Sequence, residues 1–240
     1  NYVDTARTFK HIDYTDAEYA DELKRLRERF VAFLDICKAE GKAVRVGVNH
    51  GSLSDRIMSR YGDTPSGVVE SCMEFLRICV AEEFTNVVIS IKASNTVIMV
   101  RTVRLLVAQM EKEGMKFPLH LGVTEAGEGE DGRIKSAVGI GALLYDGFGD
   151  TIRVSLSEAP EAEIPVAKAL VDYVTAHAVH LPIEGVVAEE FNYFAPERRN
   201  SHAVANIGGG QVPVVIGSSF GKEGYKEDDL SETINTAKQN

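Results

Sequence analysis

Leu119-His120-Leu121-Gly122-Val123-Thr124-Glu125 is the stretch on which the reading of this chain turns. Side chains of an extended strand point to alternate faces. His120 and Thr124 therefore share one face, while Leu119, Leu121 and Val123 share the other. Three more stretches repeat the pattern. Val44-Arg45-Val46-Gly47-Val48-Asn49 presents Arg45 and Asn49, and Val87-Val88-Ile89-Ser90-Ile91-Lys92 presents Ser90 and Lys92. Ile152-Arg153-Val154-Ser155-Leu156 presents Arg153 and Ser155. The opposite face is Val, Ile and Leu, apart from Glu125 at its very end. Each strand is followed by a stretch that reads as helix. Repeated βα units with polar groups gathered at the strand C-termini are how a (β/α)₈ barrel builds an active site. The fold class expected is therefore α/β, a partial TIM barrel of about four βα units.

The helices between these strands carry start and stop signals. Thr15-Asp16-Ala17-Glu18 is a capping box, and Leu23, Leu26, Phe30, Phe33, Leu34 and Cys37 follow at helical spacing until Gly41. Thr64-Pro65 opens a helix through Val68, Cys72, Phe75, Leu76 and Cys79, with Pro at the first helical position. Ser94 or Asn95 can cap the next, and further helices are expected around 135–144 and 161–173. From His177 onward Pro, Gly and Asn become frequent, and Ile207 to Ile216 reads as a turn entering a strand. Residues 1–175 are thus expected to be half of a barrel. Residues 176–240 are expected to begin a second domain, with a polar, partly disordered tail from Gly221.

Composition bounds the function. With 240 residues, 44% hydrophobic and 26% charged, the chain has the make-up of a globular protein large enough for a substantial core. A net charge of −10 disfavours a nucleic-acid or anionic-membrane surface, and no apolar run reaches the length of a membrane span. The three cysteines, Cys37, Cys72 and Cys79, show no metal or disulfide spacing, which fits a reducing, cytoplasmic setting. The chain opens on Asn1-Tyr2-Val3 rather than Met, as an excised piece of a longer protein would.

Within an acidic protein, Arg45, Lys92 and Arg153 with Asn and hydroxyl neighbours suit a ligand with several negative charges, most simply a diphosphate. Glu125 reads either as a general acid or base turned inward by the Gly-rich loop 125–132, or as a plain loop carboxylate. Arg133 and Lys135 open a helix whose N-terminus can favour phosphate, or are simply its basic start. Gly139 and Gly141 inside that helix are expected to allow close packing on the sheet. His50 reads either as a substrate contact or as a partner of loop carbonyls, and His120 as a hydrogen-bonded histidine within the barrel.

Four phrases resemble the 4-hydroxy-3-methylbut-2-enyl diphosphate synthase family. They are Arg45-Val-Gly-Val-Asn49-His-Gly-Ser-Leu-Ser-Asp-Arg56, Ile91-Lys-Ala-Ser94, Pro118 to Ala137, and Gly149-Asp-Thr-Ile-Arg-Val-Ser155. They span about residues 40–165, and the His50 phrase with Gly127-Glu-Gly-Glu-Asp-Gly132 resembles the family's long form, which carries an inserted domain. The resemblance implies barrel strands five to eight, with residues 176–240 starting the insert. It implies substrate contacts from Arg45, Asn49, Lys92, Thr124, Glu125, Arg153 and Ser155, with Glu125 catalytic. It also implies reductive opening of 2-C-methyl-D-erythritol 2,4-cyclodiphosphate, with electrons from ferredoxin or flavodoxin and a [4Fe–4S] cluster.

The family's cluster ligands lie in a C-terminal domain with a CPxC phrase, which this sequence lacks. The chain alone is therefore expected to bind no cluster and to be inactive. Its open sheet edges, at 44–49 and 150–156, lead to the expectation of a homo-oligomer. The alternatives are a non-redox phosphate-ester-binding barrel and a structural, dimerising half-barrel.

Overall fold

Four parallel strands pair in chain order, which is what successive strand–helix units require when each helix crosses the same face of the sheet. The computed structural model describes residues 13–178, 185 and 197–214. Contacts divide the chain into two units, 1–195 and 196–240. In the first unit the strands are β1 (Val44–Asn49), β2 (Val87–Ala93), β3 (Leu119–Val123) and β4 (Thr151–Arg153). The helices are α1 (Asp16–Ala39), α2 (Asp55–Tyr61), α3 (Pro65–Ala81), α4 (Thr96–Lys112), α5 (Gly129–Tyr145) and α6 (Glu163–His177). The expected α/β, barrel-type arrangement is what forms, with β1 and β4 at the edges of the sheet.

The two-residue alternation produces the layering. Val44, Val46 and Val48 are buried while Arg45, Gly47 and Asn49 are exposed. Val46, Ile89, Ile91, Leu121 and Val123 form one core with Met73, Leu76, Met99, Leu106, Ile140 and Leu143 from the helices. Burying side chains of this size is worth roughly 1.5–3 kcal/mol each, and it holds the other, polar face in a fixed array.

The caps fall where the sequence places them. Thr15 and Glu18 close a reciprocal box, with Glu18 N–H on Thr15 Oγ1 at 3.3 Å and Thr15 N–H on Glu18 Oε2 at 2.9 Å. Thr64 accepts from Gly67 N–H at 3.2 Å. Of the two candidates before α4, Asn95 is the cap, accepting from Ile98 N–H at 3.0 Å. Gly139 is a packing residue: a Cβ there would sit 2.6 Å from Val123 Cγ2. At Gly141 a Cβ would lie 3.4 Å from Leu170 Cδ1, the contact between α5 and α6.

Several boundaries differ from the sequence reading. The polar turn after β1 continues into α2, a seven-residue helix too short to show a periodic signal. β3 stops at Val123, because Glu125 takes a left-handed φ of 55°. β4 stops at Arg153, so Ser155 lies beyond the ladder, although Val154 and Leu156 remain buried. α5 starts at Gly129, six residues before the expected Lys135. In the second unit, residues 211–214 do not form the expected strand. The turn expected from Ile207 is present, with a Val204–Ile207 bridge before it and Gly208 and Gly209 left-handed. Residues 215–216 and the tail from Gly221 lie outside the described residues.

A polar network crosses the helical layer. Arg56 of α2 forms an ion pair with Glu74 of α3, their side chains 4% and 2% exposed. Arg56 Nη1 donates to Ser54 Oγ at 3.0 Å, and the Tyr19 hydroxyl of α1 donates to Glu74 Oε1. Burial first, and then the Glu74 carboxylate, raise the Tyr19 pKa and keep the hydroxyl protonated. Removing one member of a buried pair strands the other charge, at a cost of about 3–5 kcal/mol. Glu74→Ala should therefore lower unfolding free energy by about that amount, with Glu74→Gln losing less. Urea unfolding followed by circular dichroism measures it, and an unchanged midpoint for Glu74→Ala would refute the assignment.

Candidate functional site

Register decides which polar residues meet. Asn49 pairs with Lys92, Lys92 with Gly122, and Gly122 with Arg153, so these four form one row across the sheet. Gly122 places no side chain between the two cations. Adjacent strands lie roughly 4.8 Å apart, so the Lys92 and Arg153 backbones flank a gap of about 10 Å. The preceding row holds Gly47, Ser90, His120 and Thr151. Arg45 starts one row lower still, opposite Val88.

The charges act on one another. Burial, then repulsion from Arg45 and Arg153, hold the Lys92 ammonium below its ordinary pKa. Burial, followed by Arg45, Lys92 and Arg153, lowers His120 in the same way. Among the described residues, none of the three cations has a carboxylate partner. Lys92 and Arg153 flank the side-chain-free gap at Gly122, and Arg45 lies two rows away on the same face, so this face concentrates positive charge. A cavity of about 240 Å³ opens on this face, lined by Ala43, Val44, Arg45, Val88, His120 and Thr151. A larger one, about 360 Å³, lies among Met110, Met115, Phe117 and Phe148, on residues that do not include the cations.

The other expected site residues stand at the strand ends. Thr124 N–H donates to Ala93 O at 3.2 Å, which seats Thr124 just beyond the cation row. Ser155 is half-buried two residues after Arg153. Glu125 is exposed, and its left-handed backbone breaks the alternation that would have carried it to the leucine face. Among the described residues no hydrogen bond or ion pair ties Glu125 to the cations. A left-handed glutamate at a strand end is the kind of strain that collects at working sites.

The loops around the row are tied by contacts the sequence reading missed. Arg133 forms a fork with Glu158 at 2.5 and 2.9 Å, and Glu158 Oε1 also accepts from Gly129 N–H at 2.9 Å. Hydrogen bonding to each other lowers the Glu158 pKa and raises that of Arg133. The first amide of α5, at Gly129, therefore already has a carboxylate partner. Ser157 N–H on Gly127 O, at 3.0 Å, joins the same two loops. His50 faces Asp63 at 3.3 Å rather than loop carbonyls, and Asp63 also accepts from Gly51 N–H at 3.2 Å. An acidic residue 25 positions from Arg133 gives no local signal in sequence.

The description that matches residues 14–168 is the GcpE TIM-barrel domain. A 4-hydroxy-3-methylbut-2-en-1-yl diphosphate synthase (flavodoxin) of Bacteroides thetaiotaomicron is 74% identical over 216 residues, covering 90% of this chain and 35% of that protein. The chain belongs to the GcpE family. A relative named as the ferredoxin-type synthase, chloroplastic, from Arabidopsis thaliana is 57% identical over 178 residues, covering 74% of this chain and 24% of its own length. This GcpE chain therefore spans about a third of the length of its bacterial relatives.

The cysteines of this GcpE chain do not fit an iron–sulfur cluster. Cys37, Cys72 and Cys79 are buried in α1 and α3, and burial pushes the Cys72 thiol up to about 12 and Cys79 to about 11. Cluster ligation needs thiolates. Among the described residues, no group of three His, Cys, Asp or Glu could hold a metal ion.

The strain at Glu125 is testable. Glycine adopts φ near 55° freely, whereas other L-residues bear a cost of roughly 1–2 kcal/mol there. Glu125→Gly should leave the thermal midpoint unchanged or raise it, and Glu125→Val should lower it. A midpoint that falls on the glycine substitution would remove the case for strain.

Proposed function

We propose that this chain is the substrate-binding barrel portion of a 4-hydroxy-3-methylbut-2-enyl diphosphate synthase. In this reading it binds 2-C-methyl-D-erythritol 2,4-cyclodiphosphate for reductive ring opening, in which water is lost and two electrons are consumed. The observation that carries the reading is that Lys92 and Arg153 flank Gly122 in one row, with Arg45 on the same face, without carboxylate partners among the described residues. A diphosphate is the simplest ligand that neutralises such a set.

The roles follow from position. Lys92 supplies a point charge, while Arg45 and Arg153 offer planar forks that match phosphate oxygens. Asn49, Thr124 and Ser155 add neutral hydrogen bonds at the rim. In this reading Glu125, outside the cation set, holds or delivers a proton at an oxygen of the ring. A [4Fe–4S] cluster would supply the electrons, and its ligands would come from protein outside this chain. The named relatives favour flavodoxin as donor, with ferredoxin the counterpart in the plant proteins.

A hydrogen bond to a charged group is worth roughly 1.5–3 kcal/mol. In the complete synthase, Lys92→Ala should therefore lower kcat/KM by about tenfold or more. Arg153→Lys should also lower it, because an ammonium does not replace a planar fork. Steady-state assays with the cyclic diphosphate decide the matter, and wild-type kcat/KM in Lys92→Ala would overturn the assignment.

A further inference from the structure

Between Arg45 and the Lys92–Arg153 row lies a row of uncharged residues, Gly47, Ser90, His120 and Thr151. His120 Nδ1 sits 2.8 Å from Thr151 Oγ1. That bond engages one ring nitrogen and orients the ring. Nε2 has no partner among the described residues, and the ring lines the 240 Å³ cavity beside Arg45.

The neighbours of His120 leave room for an occupant. Gly47 is not in the left-handed region, and a Cβ there would meet only Ser90 O, at 3.9 Å. Neither backbone nor packing requires glycine at that point, and a glycine within a strand marks close approach by a ligand or another backbone. The Ser90 hydroxyl, fully buried in the same row, also lacks a hydrogen-bond partner. Burial, and the surrounding Arg45 of β1, Lys92 of β2 and Arg153 of β4, favour the neutral imidazole. A neutral ring adds no charge to this face. Whichever nitrogen carries the proton, it can pair with a hydroxyl, which both donates and accepts.

We propose that His120 is a further ligand-contacting residue, with Nε2 hydrogen-bonded to a hydroxyl on the carbon skeleton of the ligand while the three cations grip its phosphates. The proposal rests on the reading of this face as a diphosphate-ester site. It divides recognition in two, with charge reading the phosphates and the neutral row reading the uncharged, hydroxyl-bearing part.

Isothermal titration of the complete synthase with two probes, the cyclic diphosphate and inorganic pyrophosphate, tests the division. His120→Asn keeps an amide near the Nδ1 position and loses Nε2. It should weaken the cyclic diphosphate about three- to tenfold and leave pyrophosphate unchanged. His120→Gln, whose amide reaches the Nε2 position, should recover most of the loss. Gly47→Ala puts a methyl into the same row without touching the ring. It should show the same selective loss at an unchanged thermal midpoint, and it carries the test should His120→Asn not fold. Equal weakening of both probes, or no weakening of either, would overturn the role of His120. A Lys92→Ala variant that binds both probes normally would instead overturn the reading of the face itself.

Discussion

Three positive charges brought onto one face of the sheet, two of them acting on the third, are the constraint on which the candidate site depends. Lys92 and Arg153 sit in one row with Arg45 close enough to depress the Lys92 pKa, and none has a carboxylate partner among the described residues. Such a face does not assemble for its own stability. It is imposed by the opposite face, where Val46, Ile89, Ile91, Leu121 and Val123 pack under the helices. A strand slipped by one residue would turn those side chains outward and lose the core. The register that buries the valines therefore also brings the cations together. Hydrophobic burial thus supplies the free energy, and it leaves the positive charges gathered on the far face.

The strand ends need separate fixing, because the ladder stops at Val123 and Arg153. Around β3 and β4, Glu158 gathers Arg133 and the Gly129 amide, and Ser157 reaches Gly127. Around β1, Asp63 holds His50 and Gly51. Behind these, the buried Arg56–Glu74 pair joins α2 to α3, with Tyr19 of α1 on the same carboxylate. The first of these ties join loops after the strands to one another and to α5, and the last joins the helices behind them. Thr124, Glu125 and Ser155 thereby sit on short tethered segments. Arg133 and Glu158 neutralise each other across the α5 start and the segment after β4.

Much of the fold was legible because its signals are local. The two-residue alternation along 44–49, 87–92 and 119–123 names the buried and exposed faces. The Thr15–Glu18 box, the Thr64–Pro65 start and the Asn95 cap name the helix ends, since each is a contact within three or four residues. The candidate site was legible to the same depth: Arg45, Asn49, Lys92 and Arg153 follow from alternation and from the strand ends. Lengths were less legible. α2 is too short to show a period, and β4 ends early although the alternation of 152–156 runs on, because pairing with β3 extends only to Arg153.

By itself the sequence determined that four polar-faced strands alternate with capped helices, and that cations, Asn and hydroxyls lie toward the strand C-termini. Spacing of two and of three to four residues is a property of the backbone alone, and composition carries it. Only the tertiary structure decided which of those groups share a row, since register is a relation between strands some thirty to forty residues apart. It also decided that Glu158 pairs with the first amide of α5, that Glu125 turns left-handed after β3, and that His120 stands against Thr151 on the face that carries the cations. Each of these depends on how distant elements pack. Packing answers to the volume and charge of neighbours that the chain brings together only when it folds.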